Sequence, residues 1–450
     1  MHSGGSMFSI FVETLGCKIN QYESACMVDD FLARGFIVSD SMVKADIIII
    51  NTCTVTNRTD YKSRHLINKA RKIKQINNEV KILVTGCYSQ RNRDEIMQTG
   101  QIDLIVDNNS KNRIFEYLNK LYTREFDTCH FAEAKDFEDF SEMNMQRMRG
   151  YNRAFLKIQD GCDFFCSYCA VPFARGKPRS RSFESIIFQV KKLLSAGYNE
   201  IVLSGVNLGL FNFEEFDLAD LLYKLSEFHD LKKIRLSSIE PQLFSDKLLD
   251  AIQSIEKVCP HFHIPLQTGS DYLLKTHQRK YTVSKFLEIL QKLFMAKPFA
   301  AIGLDLIVGL PFETDALFDE TYELLRSIDF AYLHVFVYSK RKGTSAASMK
   351  GQVHGSIAKE RSERLLKLSL QKKTSFIETL VKNQVFLYAS KESYDDLQKM
   401  WYGTSDRYVK VFFQSVHFPF DQNDRDSDMS MKILLPKSHM RDGVFCEEVL

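Results

Sequence analysis

Three cysteines stand in the run Gly161-Cys162-Asp163-Phe164-Phe165-Cys166-Ser167-Tyr168-Cys169. Thiolates are soft ligands, and three of them can hold three irons of a cubane cluster while the fourth iron stays open to another ligand. Structural zinc instead closes four positions, most often with paired Cys-x-x-Cys or Cys/His spacings. Zinc completed by His261 or Cys259 is the plainer reading of this loop, yet neither position makes a usual zinc spacing. Three further cysteines share one local grammar: residues 8–14, 46–51 and 81–85 are apolar runs that end at Gly16-Cys17, Thr52-Cys53 and Gly86-Cys87, each before a helical pattern. The plainer reading of these is a buried strand-end cysteine acting as a small hydrophobe. Cys26, Cys129, Cys259 and Cys446 lack cluster spacing and are assigned no role.

The elements that must position these thiols can be read from periodicity. Short apolar strands alternating with helices, including a fourth run at 102–106, predict a flavodoxin-like, doubly wound parallel sheet over 7–122. Strand-to-helix loops of such a sheet open on one edge, so Cys17, Cys53 and Cys87 are expected on the same rim. Residues 123–146 carry scattered acids without period and are expected to form a linker. A second alternating region, 147–380, has strand-like runs at 154–159, 200–203, 233–236, 262–265, 302–308 and 332–338. Six βα units are fewer than a complete eight-strand barrel needs, which predicts an open (βα)6 barrel with its site at the C-terminal mouth. Residues 381–450 alternate in short stretches and predict a small β domain, so the fold class is α/β with three parts.

With 450 residues, 44% apolar and 26% charged, and a net charge of +3, the composition is that of an ordinary globular protein and excludes disorder. No apolar run approaches the roughly 18 residues a membrane span needs. The first residues lack a basic opening and a small-residue cleavage site, so no secretory signal is expected, and translation is expected to begin at Met7. Cysteines in such a chain read as metal or catalytic thiolates, and the expected compartment is the cytoplasm.

The CxxxCxxC run resembles the signature of radical S-adenosylmethionine (SAM) enzymes. That resemblance implies that Cys162, Cys166 and Cys169 hold a 4Fe-4S cluster whose open iron chelates SAM. It further implies that the reduced cluster cleaves the sulfonium to a 5′-deoxyadenosyl radical inside a partial barrel. Tyr168 matches the aromatic position that packs near the adenine. With Cys17, Cys53 and Cys87 ahead of it, the chain is similar to the methylthiotransferase branch, in which this trio holds a second 4Fe-4S cluster that activates or donates sulfur.

Within that branch, Glu13-Thr14-Leu15-Gly16-Cys17-Lys18-Ile19-Asn20-Gln21-Tyr22-Glu23, Leu236-Ser237-Ser238-Ile239-Glu240-Pro241 and the run from Cys259 to Gln267 resemble one subfamily. So do Leu333-His334-Val335-Phe336 and Gly343-Thr344-Ser345-Ala346-Ala347. That subfamily methylthiolates N6-threonylcarbamoyladenosine at position 37, beside the tRNA anticodon. The similarity spans nearly all of 7–380 and is weaker over 381–450, where family members carry a TRAM domain. The implied reaction replaces the adenine C2 hydrogen with a methylthio group, one SAM giving the methyl and another the radical. Implied partners are the tRNA anticodon stem-loop, a sulfur donor and an electron donor such as flavodoxin or ferredoxin. The same branch also modifies isopentenyl-adenosine in tRNA or an aspartate of a ribosomal protein, and an RNA-binding protein with structural clusters is the non-enzymatic alternative.

An aromatic C–H is too inert for a side-chain base, so no general acid or base is nominated. Tyr168, Ser204, Glu240 and Gln267 are the candidate SAM contacts, because they are expected at the C-terminal ends of barrel strands. For RNA, Arg147, Arg149, Arg153, Lys157, Arg175, Lys177, Arg179 and Arg181 crowd around the cluster loop against only Asp160 and Asp163, and Arg175, Arg179 and Arg181 are the expected phosphate contacts. The stretch after Cys53 adds Arg58, Lys62, Arg64, Lys69, Arg71, Lys72 and Lys74, which read equally as a solvated helix face or an RNA face. Residues 382–450 hold nine Lys/Arg against eleven Asp/Glu, so charge does not mark them for RNA. There Trp401, Tyr402 and Tyr408 either stack on bases or fill a small core. His261 and His263 alternate along one strand and read as packed histidines, and Gly205 to Gly209 read as a turn at the barrel mouth.

Overall fold

The computed structural model describes residues 7–123, 129–414 and 430–449. Residues 1–6, the expected extension before Met7, lie outside them. Ile47 to Ile50 are four consecutive isoleucines with no exposure at all. Successive strand residues face opposite sides, so an all-apolar strand must be covered on both. Ile47 and Ile49 indeed pack into one core, Ile48 and Ile50 into another. This strand, β3 (Ile47–Thr52), sits between β1 (Ser9–Thr14) and β4 (Lys81–Gly86). With β2 (Ile37–Val38), β5 (Leu104–Val106) and β6 (Cys129–His130) they form a parallel sheet of order β2-β1-β3-β4-β5-β6. Helix α1 (Lys18–Ala33) covers one face and α2 (Asn57–Ile76) the other, and the short α3 (Cys87–Arg91) follows β4.

The six strands expected in the second region all form: β7 (Ala154–Lys157), β8 (Glu200–Ser204), β9 (Lys233–Leu236), β10 (His261–Gln267), β11 (Ala301–Val308) and β12 (Tyr332–Val337). They make two parallel three-stranded sheets, β7-β8-β9 and β10-β11-β12. The Cys259 N–H donates to the Ile234 carbonyl at 2.8 Å and the Ile239 N–H to His263 at 3.1 Å, which joins them into one open, partial barrel. Helix α4 (Val171–Arg175) follows the CxxxCxxC loop, and α5 (Gly355–Lys382) leads out of the barrel. The last part is a curled mixed sheet of β13 (Leu387–Ser390), β14 (Ser393–Asp395), β15 (Met400–Thr404), β16 (Lys410–Gln414), β17 (Met431–Met440) and β18 (Gly443–Glu448). Its order is β13-β17-β18-β16-β15-β14, over its own core of Leu387, Val411, Phe413, Leu434 and Val444.

The span expected as a linker packs instead. Residues 124–128 lie outside the described residues, but β6 extends the first sheet, and Phe137, Met143, Met145 and Met148 are buried. The Tyr22 hydroxyl donates to the Met143 carbonyl, and Gln189 brackets Met145 with two hydrogen bonds. Scattered Met and Phe residues have no helical or strand period, so burial alone reveals them.

Between the first sheet and the barrel lies a knot of charge. Glu23 of α1 accepts from Lys111 at 2.5 Å, Lys157 at 2.9 Å and Arg175 at 2.9 Å, and Asp160 meets Lys157 and Arg175 at 3.1 and 3.0 Å. All five side chains are at most 4% exposed. Burial alone would raise the Glu23 carboxyl, but Arg175, Lys111 and Lys157 outweigh it and hold it well below the usual range. A depressed carboxyl contributes its stability above its unfolded-state pKa and loses it only as pH falls through the lower folded value, so the knot is intact at neutral pH. Glu23→Gln leaves three buried cations short of a partner and is expected to cost about 3 kcal/mol, read as a lower urea midpoint at unchanged slope. A loss under about 1 kcal/mol would show that the knot does not hold the domains together.

Candidate functional site

Each of the three N-terminal thiols leaves the sheet at the same edge. Cys17 caps α1 after β1, Cys53 follows β3, and Cys87 opens α3 after β4. Two glycines make the approach possible. Gly16, at φ +106°, has no room for a Cβ, which would lie 2.8 Å from the Cys53 sulfur, and at Gly86, φ +102°, a Cβ would meet the Thr52 carbonyl at 2.3 Å. Arg175 Nε donates to Cys87 Sγ at 3.3 Å, and Asn108 Nδ2 approaches the same sulfur at 3.8 Å.

The second trio is held by its own loop. The Cys162 N–H donates to Gly176, the Cys169 N–H to Cys166, and the Ser167 N–H to His277, whose Nδ1 lies 2.6 Å from Ser167 Oγ. Arg279 Nη1 donates to Cys166 Sγ at 3.2 Å, and its Nη2 pairs with Glu240. Burial pushes the Cys53 and Cys169 thiols up to about 12 and Cys162 to about 11. Such thiols stay protonated at neutral pH until a metal displaces the proton. Three thiols with a guanidinium N–H donated to one of them, to Cys87 in the first trio and to Cys166 in the second, are a donor set that fits an anionic iron-thiolate cluster. Helix α4 runs from just beyond Cys169 to Arg175, and Arg175 touches Cys87, so one short helix links the two trios.

Tyr168 has a buried hydroxyl with no hydrogen-bond partner among the described residues, beside Glu240 and Arg279. Burial raises the Glu240 carboxyl even with Arg279 alongside. Gln267 ends β10 at φ +63°. Ser204 ends β8, buried, and its hydroxyl turns back to the Val202 carbonyl at 3.3 Å. Reading the sequence missed Arg279, a lone cation in a loop that no spacing singles out.

The expectation that Arg175, Arg179 and Arg181 grip RNA is corrected: they are 2%, 7% and 0% exposed. Arg175 belongs to the charge knot, Arg179 donates to the carbonyls of Arg175 and Lys177, and Arg181 to Tyr22, Asn144 and Ser185. No phosphate reaches them. On α2, by contrast, Arg58, Lys62, Arg64, Lys69 and Lys72 are exposed, while Lys74 is buried against Asp103. His261 Nε2 lies 2.8 Å from the Tyr332 hydroxyl, and His263 sits between Ser238 and Asp305. Burial works against the Asp305 charge, yet hydrogen bonds from His263 and His334 hold its carboxyl down at about 2. These bonds account for the closeness of His263, Asp305 and His334. Cys26 and Cys446 are buried in apolar cores, Cys259 is buried near Arg235 and Glu200, and the Cys129 side chain lies outside the described residues.

The chain is similar to known proteins over most of its length. The uncharacterized protein family UPF0004 matches residues 9–107 and the radical SAM superfamily residues 156–325. The chain is 37% identical over 413 residues, 91% of either sequence, to threonylcarbamoyladenosine tRNA methylthiotransferase MtaB of Bacillus subtilis. The chain belongs to the radical SAM methylthiotransferase family. It is also 32% identical to tRNA-2-methylthio-N(6)-dimethylallyladenosine synthase of Agrobacterium fabrum, over 84% of this chain and 86% of that one. The radical SAM methyltransferase TsrM of Kitasatospora setae shares the fold, with TM-score 0.57 at 12% identity over 76% of this chain and 77% of that one. The protein is thus an enzyme whose radical SAM domain implies a 4Fe-4S cluster and SAM. Among the described residues no helix is long and apolar enough to cross a membrane.

Two measurements test the ligand sets. Replacing Cys162, Cys166 and Cys169 with alanine, or Cys17, Cys53 and Cys87, is expected to halve the iron bound per chain after anaerobic reconstitution, and unchanged iron would exclude that trio. Glu240→Ala is expected to weaken SAM binding about tenfold by calorimetry, and unchanged affinity would remove Glu240 from the cofactor contacts.

Proposed function

We propose that the enzyme converts N6-threonylcarbamoyladenosine at tRNA position 37 to its 2-methylthio derivative. The observation that carries this reading is the 37% identity across 91% of both sequences with a threonylcarbamoyladenosine tRNA methylthiotransferase, against 32% over a shorter span for the dimethylallyladenosine synthase. In this reading Cys162, Cys166 and Cys169 hold one 4Fe-4S cluster, and Cys17, Cys53 and Cys87 hold a second. When bound, the clusters supply the electron that splits the SAM sulfonium and the iron that carries the incoming sulfur.

This chain's own residues orient and enclose. Tyr168, Glu240 and Gln267, with Ser204 behind them, form the SAM cradle at the barrel mouth. Arg279 locks Glu240 to the Cys166 sulfur. Arg175 ties Cys87 to the barrel, which keeps the sulfur-bearing trio opposite the cofactor. The exposed cations of α2 are placed to neutralise phosphates of the anticodon stem-loop, a role that the buried arginines cannot take. A flavodoxin or ferredoxin would feed the electrons, and a separate donor would restore the sulfur.

Mass spectrometry of nucleosides from bulk tRNA of cells with and without the gene tests the reading. The 2-methylthio form is expected to disappear on deletion while threonylcarbamoyladenosine accumulates. An unchanged profile would refute the substrate, and loss of a methylthio-isopentenyl nucleoside would transfer the assignment to the dimethylallyl branch.

A further inference from the structure

A cavity of about 350 Å³ opens beside Cys17, between the start of α1, the barrel strands and the C-terminal sheet. Its wall includes Lys18, Gln21, Arg153, Arg235 and Tyr408. Two of the cations are already paired. Arg235 is bound to Glu200 at 2.8 Å, and Arg153 to Glu392 at 2.7 Å. Lys18, half-buried, has neither a carboxylate nor a hydrogen-bond acceptor on its ammonium among the described residues, and only the Tyr408 ring lies near it, at 5.7 Å. The lining thus holds three cations and no carboxylate: Arg235 and Arg153 are matched by Glu200 and Glu392 from outside it, and Lys18 is the cation of the wall left without an ion pair among the described residues.

We propose that Lys18 is the specificity-determining residue of this enzyme, its ammonium pairing with the carboxylate on the side arm of the modified adenosine. The inference rests on the substrate reading above and deepens it. The threonylcarbamoyl arm ends in a carboxylate, whereas an isopentenyl arm is a hydrocarbon. A cation in a partly desolvated wall gains a charge-assisted hydrogen bond from the first and stays unmatched beside the second. Discrimination of this kind comes from the polar group that the wrong substrate leaves without a partner. Tyr408 stacks on His261 at 4.7 Å and gives the same cavity an aromatic wall for the base.

The test uses the reconstituted holoenzyme and fluorescence anisotropy with three synthetic anticodon stem-loops, carrying threonylcarbamoyladenosine, its methyl ester, or isopentenyl-adenosine. The wild type is expected to bind the free carboxylate about tenfold more tightly than the ester. K18Q, with its iron content retained, is expected to bind the two equally, and K18R to keep the preference. If K18Q fails to retain iron, Q21E serves instead: it places a carboxylate one turn along α1, within reach of Lys18, and must abolish the preference too. A K18Q or Q21E enzyme that still prefers the carboxylate would overturn the role of Lys18 and leave the substrate reading standing. A wild type that does not distinguish acid from ester and favours the isopentenyl loop would overturn the substrate reading and, with it, this inference.

Discussion

The guanidinium of Arg175 is the point at which the first domain, the barrel and the Cys87 sulfur meet. It touches Glu23 and Asn20 of the first domain, Asp160 of the barrel and the sulfur of Cys87. Burying five ionised side chains costs several kcal/mol apiece, and the arrangement survives only because each charge meets an opposite one at hydrogen-bond distance. The consequence is positional. The first sheet and the barrel are tied together by these contacts, and Tyr22, Phe31, Phe155 and Leu156 share one continuous core across the junction.

The gathering of Cys17, Cys53 and Cys87 follows from one rule of parallel sheets. Each strand enters its loop at the same edge, so groups distant in sequence gather there without needing any local motif. In the first domain that edge is shaped by Gly16 and Gly86, whose missing side chains let strand ends approach within van der Waals contact of Thr52 and Cys53. In the barrel a single loop carries all three thiols, and the neighbouring segment from His277 to Arg279 clamps it from outside. The first arrangement is tertiary, the second local. That difference explains why the CxxxCxxC run can be recognised by eye and Cys17, Cys53 and Cys87 only by the repetition of strand, cysteine and helix.

Charge was the least legible property. Arg175, Arg179 and Arg181 look in the sequence like a basic patch beside a cluster loop, and the count of nearby acids supports that view. Their partners Glu23, Asn144 and the carbonyls of the same loop come from elsewhere in the chain or from the backbone, which no local count includes. Residues 134–148 misled for the related reason that side chains can be buried without any periodic pattern.

From the sequence alone came the α/β class, four of the six strands of the first sheet, all six strands of the barrel, the β character of the C-terminal part and the six thiols singled out as candidate ligands. These depend on periodicity and spacing, which are local and additive along the chain. Only the tertiary structure decided that the three arginines are structural, that Arg279 joins Glu240 to Cys166, and that Lys18 stands unmatched in a cavity shared by three domains. Whether a charge is exposed, paired or left over is set by residues hundreds of positions away, and a linear pattern holds no record of those neighbours.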